Sequence, residues 1–179
     1  MRIAIAVTGV LLLRLASLSA QPVTPCSPAA PRDTDLAVYR AALAHPSVLD
    51  GASKKRGLVV VREMSPERSR FTPSGRSDEY LRRSLREPDP ALIAAFRCAA
   101  TERGAVPEAL GHERNVQLVS DDELSRTLER PDSDYWREFG RRYPRAAGLV
   151  RLSPVAYSAD GTAAMVHVTF AGGLLNAHG

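Results

Sequence analysis

The chain has 179 residues, with 24 basic against 20 acidic side chains and a net charge of +4, long enough for one domain with a real core and short for two. Only Lys54 and Lys55 are lysines, and the arginines are interspersed with acids rather than gathered into a stripe. A nucleic-acid partner is therefore not expected. Metal-ligand spacing, a phosphate loop and cofactor fingerprints are all missing from the sequence, so neither a metal nor a cofactor is expected.

The N-terminus reads as a secretory signal peptide over residues 1–20: Met1-Arg2, an apolar run from Ile3 to Leu13, and the small-residue tail Ser17-Leu18-Ser19-Ala20. The run is too short for a membrane span, which takes about 20 apolar residues. Cleavage after Ser19 or Ala20 would discard Arg2 and Arg14, leaving 22 basic against 20 acidic residues, or +2. A periplasmic or extracellular location follows as an expectation. Residues 21–33 read as a Pro-rich leader, and residues 34–175 as a single α+β domain. In an exported protein Cys26 and Cys98 could form one disulfide; the alternative is a buried Cys98 and a free Cys26.

Within the domain, Asp33 or Thr34 can cap a docking helix over Leu36, Val38, Tyr39, Ala42 and Leu43. Leu58 to Val61 is a continuous β-branched run suited to an inner strand buried on both sides. Met64 to Ser77 reads as a loop, in which Glu67, Arg68 and Arg70 form a solvated charge cluster, and Asp78 to Arg86 as a short helix. Asp89 caps the best-specified helix, with Pro90 in its first turn, Leu92, Ile93 and Phe96 in its buried stripe and Gly104 as its stop.

Asn115 to Val119 alternates like a strand, and Ser120-Asp121-Asp122-Glu123 matches a capping box that explains the acidic run. Asp132 to Tyr143 is expected to be a helix that packs Trp136, Phe139 and Tyr143 against the C-terminal hairpin. That hairpin, about 148–158 and 162–171, turns at Gly161 in the left-handed region after a type I turn over Ala159 and Asp160. A three-residue loop pairs Ser158 with Thr162, Ala156 with Ala164, Pro154 with Val166, Leu152 with Val168 and Val150 with Phe170. The second face pairs Val155 with Met165, Ser153 with His167 and Arg151 with Thr169, and should be partly wet away from the turn. A two-residue Asp160-Gly161 loop is the rival, with the pairing shifted by one and a bulge near Ser153-Pro154; the version without a bulge is preferred.

The C-terminal half resembles a family of uncharacterised bacterial exported proteins. The matching positions are Trp136, Phe139, Tyr143, Pro144, Gly148, Leu149, Ser153, Val155, Tyr157, Asp160, Gly161, Thr162, Ala164, Val166 and Val168. Where that family has a C-G-G-L-C-G turn and then a last strand, this sequence has Ala171 to Asn176 and ends at Gly179. Without that strand, the edge from Ala163 to Phe170 is expected to stand open as a liability or a partner site.

Taken together, the expected fold is α+β, a small, mostly antiparallel sheet packed by helices on one face. The expected function is non-enzymatic binding in the bacterial envelope or exterior. The alternatives are a hydrolase-like enzyme using scattered groups such as His112, Glu113, Asp121 or His167, and a truncated relative without function.

Overall fold

The computed structural model describes residues 6–14, 33–45, 57–64, 89–101, 103–127 and 135–172. Its main sheet is mixed, in the order β1 (Ala6–Arg14), β8 (Ala163–Ala171), β6 (Ala146–Leu152), β2 (Gly57–Val61) and β5 (Val116–Val119), with β7 (Ala156–Tyr157) also paired to β8. Two two-residue strands, β3 (Glu63–Met64) and β4 (Gly104–Ala105), make a separate antiparallel ribbon. The described helices are α1 (Asp33–Leu43), α2 (Pro90–Ala100), α3 (Asp121–Thr127) and α4 (Tyr135–Arg142), with a 3-10 helix over Glu108–His112. The fold is α+β, as expected from the sequence.

β2 is the inner strand that its four consecutive apolar residues imply, and it runs parallel to both β5 and β6. Parallel neighbours need crossover connections rather than tight turns. The route from β5 to β6 passes through α3 and α4, which lie over β2. Because Leu58 to Val61 are all buried, both faces of the sheet must be covered. Leu58 and Val60 join Val38, Tyr39, Ala42 and Leu43 of α1, with Leu110 of the 3-10 helix, in one core cluster. Val59 and Val61 join Leu124 of α3, Phe139 of α4 and Tyr143 in another on the opposite face. The expectation of helices on one face is thus corrected: strands buried on both sides leave two apolar surfaces to cover.

Val150, Leu152, Ala164, Val166, Val168 and Phe170 of the hairpin's expected apolar face form a single cluster, covered by α1, whereas Ala156, expected on the same face, packs with Met165 on the other. Trp136, Phe139 and Tyr143 pack with Leu149, whose side chain leaves β6 on the other face from Val150. α4 thus packs on the hairpin as expected, but through Leu149 and not over Val166 and Phe170, which strand parity places on the other face. α2 takes the remaining place, packing Leu92, Ile93 and Phe96 on Ala156 and Met165 near the hairpin turn. Asp89 caps α2 by accepting from the Ala91 amide at 2.9 Å. The helix ends at Ala100 rather than running to Gly104, because Gly104 is already paired in β4.

Far from the turn the register is as read from the sequence: Val150 opposite Phe170, Arg151 opposite Thr169 and Leu152 opposite Val168. Near the turn it is shifted by one, with Ala156 opposite Met165 and Tyr157 opposite Ala164, so a bulge lies between Leu152 and Ala156. The preferred version without a bulge is corrected to the rival's shifted pairing and its bulge near Ser153-Pro154, for a local reason. The Gly161 amide donates to the Ser158 carbonyl and Gly161 has φ 69°, the turn expected over Ala159 and Asp160. The loop is then one residue longer, because Asp160 accepts from both the amide and the hydroxyl of Thr162. Thr162 is held in the turn, and Ser158 pairs with Ala163 instead. The Ser158 hydroxyl and the Thr162 groups hold the Asp160 carboxyl down to about 2.

Gly148 lets Phe170 fold across the neighbouring strand, since a Cβ there would lie 2.6 Å from Phe170 Cζ. Gly148→Ala is expected to destabilise the domain by about 1–3 kcal/mol through overpacking, read as a lower urea midpoint at unchanged slope.

Candidate functional site

Three parallel strands end together, and the residues just past them form a charged seam. β2 leads through Arg62 to Glu63, β5 leads through Ser120 into α3, and β6 carries Arg151 near its end. Glu63 Oε2 accepts from the Asp121 amide at 2.7 Å, and Asp121 Oδ1 accepts from Arg151 Nη2 at 2.8 Å. The Arg151 and Asp121 side chains are only 24 % and 18 % exposed, so this pair is better shielded than an ordinary surface bridge. Ser120 accepts from the Glu123 amide at 3.0 Å, the first half of the capping box read from the sequence. The Glu123 carboxylate also accepts from the Tyr143 hydroxyl at 3.3 Å and lies 3.7 Å from Arg142. Burial, followed by the negative charge of Glu123, raises the Tyr143 pKa.

Apart from the Ser120 cap, these contacts tie one element to another: Glu63 and Arg151 anchor the start of α3 on the sheet, and Glu123 anchors the end of α4 on α3. The seam is thus a carboxylate-guanidinium chain at the carboxyl ends of parallel strands, where open sheets usually offer a crevice. Here the carboxylates already accept hydrogen bonds from within the fold.

A second polar group is buried beside the hairpin bulge. The Tyr39 hydroxyl on α1 donates to the Ser153 carbonyl at 3.1 Å, and Ser153 Oγ accepts from the His167 amide at 2.8 Å. The Ser153 amide in turn donates to the His167 carbonyl at 3.0 Å. Ser153 and His167 are both 7 % exposed. The expectation that this face is partly wet holds at Arg151 and Thr169, which are half-buried, but not at Ser153 and His167. Burial moves the His167 imidazole down to about 4, leaving it neutral, and pushes the Tyr39 phenol up, aided by the nearby charge of Asp35. Tyr157 repeats the pattern, its hydroxyl donating to Asp35 Oδ1 at 2.7 Å and so tying β7 to α1. Tyr39→Phe strips the buried Ser153 carbonyl of this donor and is expected to cost about 1–2 kcal/mol, measured by chemical denaturation with Trp136 emission as the probe.

The residues considered for catalysis lie on different elements. Glu113 follows the 3-10 helix and pairs with Arg40 of α1 at 2.7 Å, while His112 ends that helix. Asp121 belongs to the charged seam, and His167 lies inside the sheet. Arg151 is a diagonal neighbour of His167 across β6 and β8. In the sequence it is marked only as a register position. Its value as an anchor has no local signal, because Asp121 is 30 residues away. Among the described residues no group of three or more His, Cys, Asp or Glu could hold a metal ion, and no helix is long and apolar enough to cross a membrane.

Of the anchors named from the sequence, Trp136, Phe139 and Tyr143 form a continuous aromatic run, with ring centroids 5.4 Å and then 5.1 Å apart. Gly161 holds the hairpin turn. Cys98 on α2 is disulfide-bonded; Cys26 lies outside the described residues. So do the cluster Glu67, Arg68 and Arg70, the helix expected over 78–86, the leader, and the chain after Gly172.

The last feature is the outer edge of β8. It was expected to stand open from Ala163 to Phe170, and in the full chain it does not. β1 pairs along all of it, antiparallel, from Ala6 opposite Ala171 to Arg14 opposite Ala163. The apolar run read as a signal sequence thus supplies the edge strand, because an apolar segment without proline is also a good strand.

These features define the class of protein: an α+β domain with a mixed sheet, helices on both faces, internally committed ion pairs and one long uncharged strand beside its edge. Comparison with family models, curated proteins and solved structures finds no match to the chain.

Proposed function

We propose that the protein is exported, loses its first 19 or 20 residues, and acts in the envelope or exterior of a bacterium by binding rather than by catalysis. The observation that carries the reading is the disulfide at Cys98. Disulfides persist in oxidising compartments and are rare where thiols are kept reduced. The signal-like N-terminus and the resemblance to uncharacterised bacterial exported proteins point the same way.

The binding half rests on how the polar side chains are spent. Glu113, Asp121 and Glu123 each face an arginine of another element, and His167 is buried and neutral. A general acid or base needs a group free to meet substrate, and these groups serve the fold.

Expression of the full chain in a bacterial host tests the reading. Intact mass and N-terminal sequencing of the exported fraction should show a start at Ala20 or Gln21, with the mass about 2 Da below that of the reduced chain. Full-length protein confined to the cytosol with reduced thiols would overturn it.

A further inference from the structure

We propose that removal of β1 turns the outer edge of β8 into a contact between two copies of this chain, joined strand to strand into one continuous sheet. The inference rests on the export reading above, because only cleavage takes β1 away.

β8 is used from both sides. Its odd-numbered residues spend their backbone groups inward: the Ser153 amide donates to the His167 carbonyl and the Ser158 amide to the Ala163 carbonyl. Backbone groups alternate along a strand, so Ala164, Val166, Val168 and Phe170 turn theirs toward β1. When β1 leaves, these amides and carbonyls lose their partners while the side chains of the same residues remain in the core. The edge is bare backbone on a rigid strand.

Natural edges are protected by lysine, proline, inward charges or bulges. β8 reads AAMVHVTFA, with no Lys, Arg, Asp, Glu or Pro, and its nine residues accept β1 without a break in register. The structure therefore shows the edge taking an antiparallel strand over its whole length. A second copy of β8 meets the same geometry: two identical strands pair antiparallel about a two-fold axis, which is a closed, self-complementary contact. Charge does not oppose it, because the strand carries none and the mature chain keeps only +2. Among possible occupants, the second copy is also the one always present at the protein's own concentration.

The test uses the full chain with a specific protease site placed between Arg14 and Gln21, ahead of Cys26, folded before it is cut. Light scattering should give one copy, 19.4 kDa, for the uncut protein, and two copies once it is cut and the N-terminal piece is removed. A capped peptide of residues 6–14 added in excess should return the cut form to single copies. Thr169→Lys, which puts a charge on β8, should keep the cut form single without any peptide. A cut protein that stays monomeric overturns the inference, including one that binds the peptide and awaits some other partner. So does a dimer or aggregate indifferent to both the peptide and Thr169→Lys. Failure of the export reading shows separately, as exported or cytosolic material that retains residues 6–14 by mass.

Discussion

Replacing Phe139 with alanine is expected to destabilise the domain by about 3–5 kcal/mol, the range for emptying a fully buried aromatic site. Phe139 is 1 % exposed and sits between Trp136 and Tyr143. It packs with Val59, Val61 and Leu149, so its ring joins α4 to two strands of the sheet at once. Neither neighbour can move in to fill the space, since Tyr143 is held by Glu123 and Trp136 is only half-buried. At a few degrees per kcal/mol for a domain of this size, the melting temperature should fall by roughly 10 °C or more. The chain has one tryptophan, adjacent to the site, so its emission should report the loss directly. Leu124→Ala, on the same face, should lower stability by about 2–5 kcal/mol. A Phe139→Ala protein that melts within 2 °C of the parent would show that α4 is not joined to the sheet in this way.

Acid should weaken the fold in a window set by His167. Its folded-state value of about 4 lies below the ordinary 6.5, and the cause is burial. Between those values the unfolded chain binds a proton that the folded chain refuses, so stability rises with pH and is lost as pH falls from about 6.5 toward 4. A displacement of that size corresponds to about 3 kcal/mol. Urea midpoints measured from pH 7.5 down to 4 should fall, and His167→Gln should flatten most of that slope. Asp160 acts lower, since its carboxyl is held to about 2 against an ordinary 3.8. Its contribution is present above 3.8 and disappears as pH drops through 2. A slope unchanged in His167→Gln would show that another group titrates in the upper window.

Much of the local structure was legible in single stretches of chain. Asp89-Pro90 set the start of α2, Ser120 with Glu123 the start of α3, and Asp160-Gly161 the hairpin turn, because caps and turns depend on a few adjacent residues. The four apolar residues from Leu58 also marked β2 as inner. Several readings failed, among them three with a cause beyond their own stretch. The extra loop residue comes from Asp160 holding Thr162, and the bulge that absorbs it lies where Ser153 meets His167. α4 lies on the face of Leu149 because the crossover from β5 to β6 passes over β2. The edge of β8 is covered because a run read as a leader has equal use as a strand.

The candidate seam was even less visible, since Glu63, Asp121 and Arg151 come from three strand ends that only the parallel arrangement assembles. By itself the sequence determined the helix caps, the turn at Gly161, the inner strand and, away from the turn, which hairpin residues share an apolar face, all properties of short-range geometry. Only the tertiary structure decided which helix covers which face, the register beside the turn and the strand that flanks β8. Those choices depend on apolar surfaces meeting across long sequence separations, and several helices had stripes able to meet the same sheet.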